Sequence, residues 1–475
     1  MSIFKSISAT AIALSVIMSP ITAHAKKDVA EKTFGHQKTS VVNPEWLKDA
    51  VIYEVNLRQG TPERNLKGMQ LQLPRLKDLG VDILWLMPIH PISEKNRKGS
   101  LGSYYAVADY KKVNPEFGTL DDLKEFVRTA HTLGMKVIID EVCNHSGCDN
   151  NWLDNHPDFY VRDKKGNLVS PYDWTDTYKL DYSNPAMRDA MYDALTFWVK
   201  EADIDGYRFD VAGEVPTDFW DGLRPKLEAL KPVFLLAEAS KPELTLNAFD
   251  ADYNWPMKDV FNAVAATSGA NTYAISKGQK LPSQKASAIT DLIARQKKQY
   301  PQSALNMNMI TNHDLNSWEG TEFERLGPTT GAFAVLSYTL PGIPMLYTGQ
   351  EVGFNHPFKF FEPDSIQPDY TANQFTAFYS MLNALKHKNH ALDAGIDGGD
   401  FTTIDTADEN LIAFIRRKDA QKVIVIANLS GEVVTPTFRS MPDTSGMTDY
   451  FTGATAAIPT KMQPWQYIVL TTPLP

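Results

Sequence analysis

Only two cysteines occur in 475 residues, Cys143 and Cys148. A disulfide scaffold is therefore excluded as the source of stability, and a chain of this length can bury a large core without one. Both lie in DEVCNHSGC, a spacing that leaves open a short-loop disulfide or two separate thiols. No second C-x-x-C or H-x-x-x-H accompanies them, so they do not form a zinc pattern. No apolar run reaches the ~18 residues of a membrane span. Excess basic charge is also lacking. Lys and Arg number 47 against 57 Asp and Glu, a net charge of −10. Such a chain repels phosphate backbones, which excludes nucleic acid as a partner. Internal repeats are absent, and no G-x-G-x-x-G opens the first strand–helix unit as a dinucleotide-binding sheet would require. The 43% hydrophobic and 22% charged shares exclude a disordered or collagen-like chain.

What is present begins at the N-terminus. Lys5 precedes an apolar run from Ile7 to Met18, closed by Ala23-His24-Ala25. That is a secretory signal with cleavage after Ala25. The expected location is periplasmic or secreted, with no membrane association after cleavage. Residues 26–45 read as a polar leader.

From there short apolar runs alternate with amphipathic segments. The runs start at Val51, Ile83, Val137, Gly206, Val233, Phe249, Met307 and Pro344. Helices are expected over Leu120–Leu133 behind Thr119, over Ala186–Ala202, and from Thr217 to Leu230. Eight strands with helices between them predict a parallel (β/α)8 TIM barrel. The connection from His145 to Asn184 is too long for a simple loop and implies a small inserted unit. After about residue 391 short strands alternate with Gly, Asp and Pro turns, which predicts an all-β sandwich. The expected organisation is a signal peptide at 1–25, a leader at 26–45 and a barrel over 46–145 and 185–390. The inserted third-loop domain covers 146–184 and the C-terminal sandwich 391–475.

A barrel places its chemistry at the C-terminal ends of its strands. Those ends carry Asp140, Asn144 and His145, then Arg208 and Asp210, then Glu238, then Asn312, His313 and Asp314. Paired carboxyl groups at a cleft are the equipment of glycoside hydrolysis. Glu238 follows the apolar Leu235-Leu236-Ala237, which favours the raised pKa of a general acid. Arg208 precedes Asp210 by two residues, so on a strand both side chains point the same way, and the cation would keep Asp210 ionised. Asp314 can meet the positive charge of an oxocarbenium-like transition state. The two histidines can donate to sugar hydroxyls.

At these residues the chain resembles glycoside hydrolase family 13, the α-amylase family. The signatures are DEVCNH (Asp140, Asn144, His145), GYRFDVA (Arg208, Asp210), the Glu of LLAEA (Glu238) and TNHD (His313, Asp314). Further echoes are GVDILWLMPI, SYYAVADYKKVNPEFGT and PGIPMLYTGQE. The resemblance implies a retaining mechanism with Asp210 as nucleophile, Glu238 as acid/base and Asp314 as stabiliser of the transition state. It implies that Arg208 orients Asp210, that Tyr105, His145 and His313 line the subsite of the distorted sugar, and that Asp140 anchors it from beneath. Where many relatives carry Lys-His after the nucleophile, this chain has Gly213-Glu214.

The implied partner is an α-glucan or maltooligosaccharide, cleaved at α-1,4 bonds of starch, glycogen or maltodextrin. No cofactor is required for the chemistry, and a structural calcium is left open. The alternatives on the same fold are a transglycosylase, a cyclodextrin or pullulan specialist, and a non-catalytic glycan-binding protein. Trp152, Trp174 and Trp318 fit either sugar stacking or packing. His90 is expected as a loop residue and Glu351 as structural. Oligomeric state is not encoded in these patterns.

Overall fold

The computed structural model describes residues 32–474. The signal peptide and the start of the leader lie outside the described residues. The rest of the leader has little regular structure but is tied to the barrel. Gly35 N donates to Lys298 O at 3.0 Å and Ser40 N to Leu246 O at 3.0 Å.

Eight parallel strands close into a barrel: β1 (Ile52–Val55), β2 (Ile83–Leu86), β3 (Lys136–Glu141), β4 (Gly206–Phe209), β5 (Phe234–Ala237), β6 (Ala251–Tyr253), β7 (Leu305–Asn308) and β8 (Ile343–Tyr347). Each pairs with its sequence neighbours, and β1 closes against β8. All eight coincide with the runs that periodicity singles out. The strands read as continuous apolar stretches because both faces are buried. Alternation still sorts them. Ile52, Ile83, Trp85, Ile138, Phe234, Leu236 and Tyr253 fill the lumen. Tyr53, Leu84, Val137, Ile139, Tyr207, Phe209 and Leu235 face the surrounding helices.

The helices carry the signals expected of them. Thr119 and Asp122 form a reciprocal capping box at the start of Leu120–Thr132. Asn184 caps Pro185–Ala202, with Pro185 in the first turn. The long third connection contains a two-stranded ribbon, His145–Gly147 with Thr177–Lys179, and the short helix Asn151–Asn155.

The C-terminal unit is a five-stranded antiparallel sheet: β9 (Asp400–Thr403), β10 (Leu411–Lys418), β11 (Gln421–Asn428), β12 (Thr448–Asp449) and β13 (Tyr467–Thr471). Its outer apolar face is covered by a loop layer pinned at isolated bridges such as Val434 with Met462. The covering layer is irregular where a sandwich would have a second sheet. Pro436, Pro442, Pro459 and Pro464 interrupt that segment and remove ladder donors. Buried Arg416 fastens this unit to the barrel, its Nη1 donating to Thr339 O at 3.1 Å.

Gly206 opens β4 at φ +149°, and a Cβ there would overlap the carbonyl of Phe234 on the neighbouring strand. Gly206→Ala is expected to destabilise the fold by about 3 kcal/mol or more. Gly166→Ala, at positive φ but with nothing nearby, should cost only about 1 kcal/mol. Denaturant unfolding of both variants checks the contrast, and equal losses would contradict it.

Candidate active site

The lumen is apolar at its base and polar at its top. Strand parity explains the change. Ile138 points inward, so Asp140 does too. Arg208 sits opposite Asp140 in the β3–β4 register and shares its orientation. Arg208 is fully buried and makes the central contacts. Its Nη1 donates to Asp140 Oδ1 at 2.8 Å and to Asp210 Oδ1 at 3.0 Å. Its Nη2 lies 2.9 Å from Glu238 Oε2, a charge contact without hydrogen-bond alignment. Its Nε donates to Tyr253 Oη at 3.1 Å. The guanidinium also faces the rings of Trp85, Tyr105 and Tyr253.

Asp210 follows β4, and its N–H is fixed by Glu141 O at 3.0 Å. The next residue, Val211, is left-handed at φ +37°, ψ +44°. That conformation is costly for a β-branched residue, and such strain concentrates at functional sites. It aims the Val211 N–H at Glu238 Oε2, 2.8 Å away. Glu238 is thereby held on one oxygen by Val211 and Arg208.

Electrostatics separate the acidic groups from ordinary carboxyls. Burial pushes Glu238 up to about 7. Arg208 opposes the rise, while Asp210 and Asp314 add to it. Burial raises Asp210 to about 6 against the same cation, with Asp140 and Asp314 adding to the rise. Asp140 also reaches about 6, through burial opposed by Arg208 and His313. These groups share charge, so their protons come off as a set rather than residue by residue.

The histidines divide into two kinds. Burial alone would lower His313, but Asp314 and Glu54 overcome it and leave the imidazole at about 9. Its Nδ1 meets Glu54 Oε1, and its Nε2 lies 2.7 Å from Tyr105 Oη. Tyr105 stacks on His313 with ring centres 5.5 Å apart and donates to Asp140 Oδ2 at 3.2 Å. His145 is buried without an acidic partner and is pushed down to about 3. It is neutral at neutral pH, lies 3.2 Å from Asn144 Nδ2 and packs 5.3 Å from Trp174. Asp314 stands at the mouth with its side chain 37% exposed, 3.4 Å from His313 Nε2.

The seven residues expected to act on or bind substrate, Tyr105, His145, Arg208, Asp210, Glu238, His313 and Asp314, therefore lie at the C-terminal end of the barrel, as does Asp140 beneath them. Sequence reasoning missed Glu54, Trp85 and Tyr253. Glu54 did carry a signal, as the one charged residue inside the run Val51-Ile-Tyr-Glu-Val. His90 is in a loop but fully buried, 3.1 Å from Glu141 Oε1. Glu351 is buried against Tyr53 and Arg75, a structural placement.

Cys143 and Cys148 are two separate buried thiols. Asn144, in the same segment, has its Nδ2 3.2 Å from His145 Nδ1. Among the described residues no group of three His, Cys, Asp or Glu side chains is placed to hold a metal.

A carboxyl pair on one buried guanidinium, at the C-terminal mouth of a (β/α)8 barrel, is equipment of the kind that glycoside hydrolysis uses. Comparison with known proteins agrees. The family model for the alpha amylase catalytic domain matches residues 52–179 and 172–391. The alpha-amylase MalA of Haloarcula japonica is 26% identical over 427 residues, which cover 86% of this chain and 59% of that protein. A cyclomaltodextrinase of Thermoanaerobacter pseudethanolicus is 26% identical over 446 residues, 82% of this chain and 71% of that one. The crystal structure of a noncanonic maltogenic alpha-amylase, AmyB from Thermotoga neapolitana, superposes with a TM-score of 0.77 at 26% identity. It covers 90% of this chain and 99% of that one. The chain belongs to the α-amylase family, glycoside hydrolase family 13, and is a glycoside hydrolase.

Glu54 is one of the two carboxylates that hold His313 charged. In Glu54→Gln the imidazole pKa should fall from about 9, and misplacement of the Tyr105–His313 pair should cost about 100-fold in kcat/KM. An NMR titration of His313 reads the first effect directly. An unmoved pKa would contradict the assignment.

Proposed function

We infer that the protein is a retaining α-glucan hydrolase acting on α-1,4-glucosidic bonds of starch, glycogen or maltodextrin. The observation that carries this reading is the placement of Asp210 and Glu238 on adjacent nitrogens of Arg208. That arrangement favours the short carboxylate spacing of retaining sites over the ~6.5–9.5 Å of inverting ones.

Asp210 attacks the anomeric carbon while the bond to the leaving oxygen breaks, and Glu238 gives that oxygen its proton. Glu238 then takes a proton from water, and the resulting hydroxide displaces Asp210 from the glycosyl ester. Asp314 faces the developing positive charge. Charged His313 and neutral His145 offer donors to the sugar hydroxyls, and Tyr105 supplies a flat face. Two carboxyls suffice for these steps, and none involves a metal or cofactor.

A specialist on cyclodextrin or pullulan is the second reading. It is supported by Gly213-Glu214 beside Asp210, where a cationic pair would bind sugar on the leaving side, and by the cyclomaltodextrinase among the relatives. The N-terminal pattern supports placement outside the cytoplasm.

A product time course on starch, pullulan, maltoheptaose and cyclodextrin tests the substrate class. Early short maltooligosaccharides from starch support hydrolysis of the amylase type. Preferred attack on cyclodextrin or pullulan supports the specialist. Products longer than maltoheptaose would show that sugar displaces water as acceptor.

Asp210→Asn should retain maltodextrin binding and lose turnover by at least about 1,000-fold, because an amide cannot form the ester. Unchanged turnover would sink the mechanism. In the wild type, kcat/KM should fall above about pH 7 and below about pH 6, as the coupled set that contains Glu238 and Asp210 loses or gains a proton. Glu238→Gln should remove the alkaline limb. An alkaline limb that persists would reassign the acid.

A further inference from the structure

Trp318 is the only exposed tryptophan among the described residues, at 42%. It lies four residues after Asp314, on the single π-helical turn Leu315–Glu319. Such turns mark functional sites more often than ordinary helix does. Its backbone is held firmly. Trp318 O accepts from Tyr273 Oη at 2.8 Å. Asn316 Nδ2 donates to His356 O at 3.1 Å, and Asn316 Oδ1 accepts from Phe358 N at 2.8 Å. The turn is therefore fastened to the loop after β8, while the indole it carries stays open to solvent.

The indole is not isolated. Its ring centre is 5.2 Å from Phe360 and 5.7 Å from Phe361. Phe360 is nearly parallel to Tyr105, at 6.3 Å and 14°, and Tyr105 stacks on His313. A continuous row of rings thus runs from the catalytic centre to the surface. Its supports come from other loops. Arg58 Nη1 donates to Phe360 O at 3.2 Å, and Leu101 N to Phe361 O at 2.9 Å. A rigid, exposed aromatic face reached from a sugar site is suited to stacking on the apolar face of a pyranose, because little side-chain freedom is lost on binding.

The row also has a side. Glu238 protonates the leaving oxygen, so the leaving group exits past Glu238. There Lys241 Nζ is bonded to Gly213 O, and Glu214 flanks it. Gly213 and Glu214 follow β4, whereas Phe360 and Phe361 follow β8, four strands away around the closed barrel, so Trp318, packed on those two rings and through Phe360 on Tyr105, belongs to the opposite rim.

The geometry points to Trp318, backed by Phe360 and Phe361, as a sugar-binding platform for the glucose unit preceding the one attacked. It would select gluco-oligosaccharides with two or more units before the scissile bond. This rests on the α-glucan reading above.

The test measures maltopentaose binding by calorimetry in the inactive Asp210→Asn background. Adding Trp318→Ala should raise Kd about tenfold, whereas Trp318→Phe, which keeps a stacking face, should stay within about threefold. In the otherwise wild-type enzyme, Trp318→Ala should shift cleavage of end-labelled maltopentaose toward cuts that leave a single unit on the attacked side. A merely structural role would not move that pattern. Equal affinity in the Asp210→Asn and Asp210→Asn/Trp318→Ala proteins would overturn the platform. Maltopentaose that fails to bind Asp210→Asn at all would instead overturn the α-glucan reading beneath it.

Discussion

The site depends on one buried guanidinium. Arg208 sits in the top layer of the lumen with Asp140, Asp210 and Glu238 around it. A cation buried alone would cost several kcal/mol, and so would each carboxylate. Arg208, with charged His313 on the far side of Asp140, does not balance three buried carboxyls. Burial first, and this mismatch second, keep protons in the site. Asp140, Asp210 and Glu238 are all raised by burial and by one another, even with Arg208 opposing. Burial is the main reason that Glu238 is raised to about 7, and the neighbouring Asp210 and Asp314 add to it against Arg208.

The same contacts restrict geometry. Asp210 and Glu238 come from adjacent strands, and each is fixed twice. Arg208 touches both, Glu141 O holds the Asp210 N–H, and the strained Val211 turns its own N–H to Glu238. Strain of this kind persists only where surrounding structure over-determines it. The packed lumen below, from Ile52 to Tyr253, supplies that rigidity. On the opposite wall the Glu54–His313–Tyr105 contacts fix a charged donor beside Asp140. The barrel therefore delivers preformed positions, which is how fixed dipoles and charges lower a barrier without reorganising.

Much of this was legible in the sequence. The eight strands stood out because each is a short apolar run bounded by turns. Asp210, Glu238 and Asp314 stood out because they end such runs. The Arg208–Asp210 relation followed from strand parity alone. Glu54 and Tyr253 escaped because they sit within apolar strands, where a polar side chain is hidden by its neighbours and only the closed barrel shows where it points. The row from Tyr105 through Phe360 to Trp318 joins segments more than 200 residues apart, and no local pattern encodes such a meeting. The short strands of the C-terminal unit were legible between their Gly, Asp and Pro turns, whereas the layer over their outer face, interrupted by Pro436, Pro442, Pro459 and Pro464, carries no period that a sequence reading can use.

The central claim is that Asp210 becomes covalently linked to the sugar. Trapping with a 5-fluoro-α-glucosyl fluoride, followed by proteolysis and mass spectrometry, tests it most directly. The account predicts a glycosyl adduct on the peptide carrying Asp210, and natural substrate released with its α configuration retained. No adduct, together with products released in the β configuration, would contradict it and would show that water attacks directly.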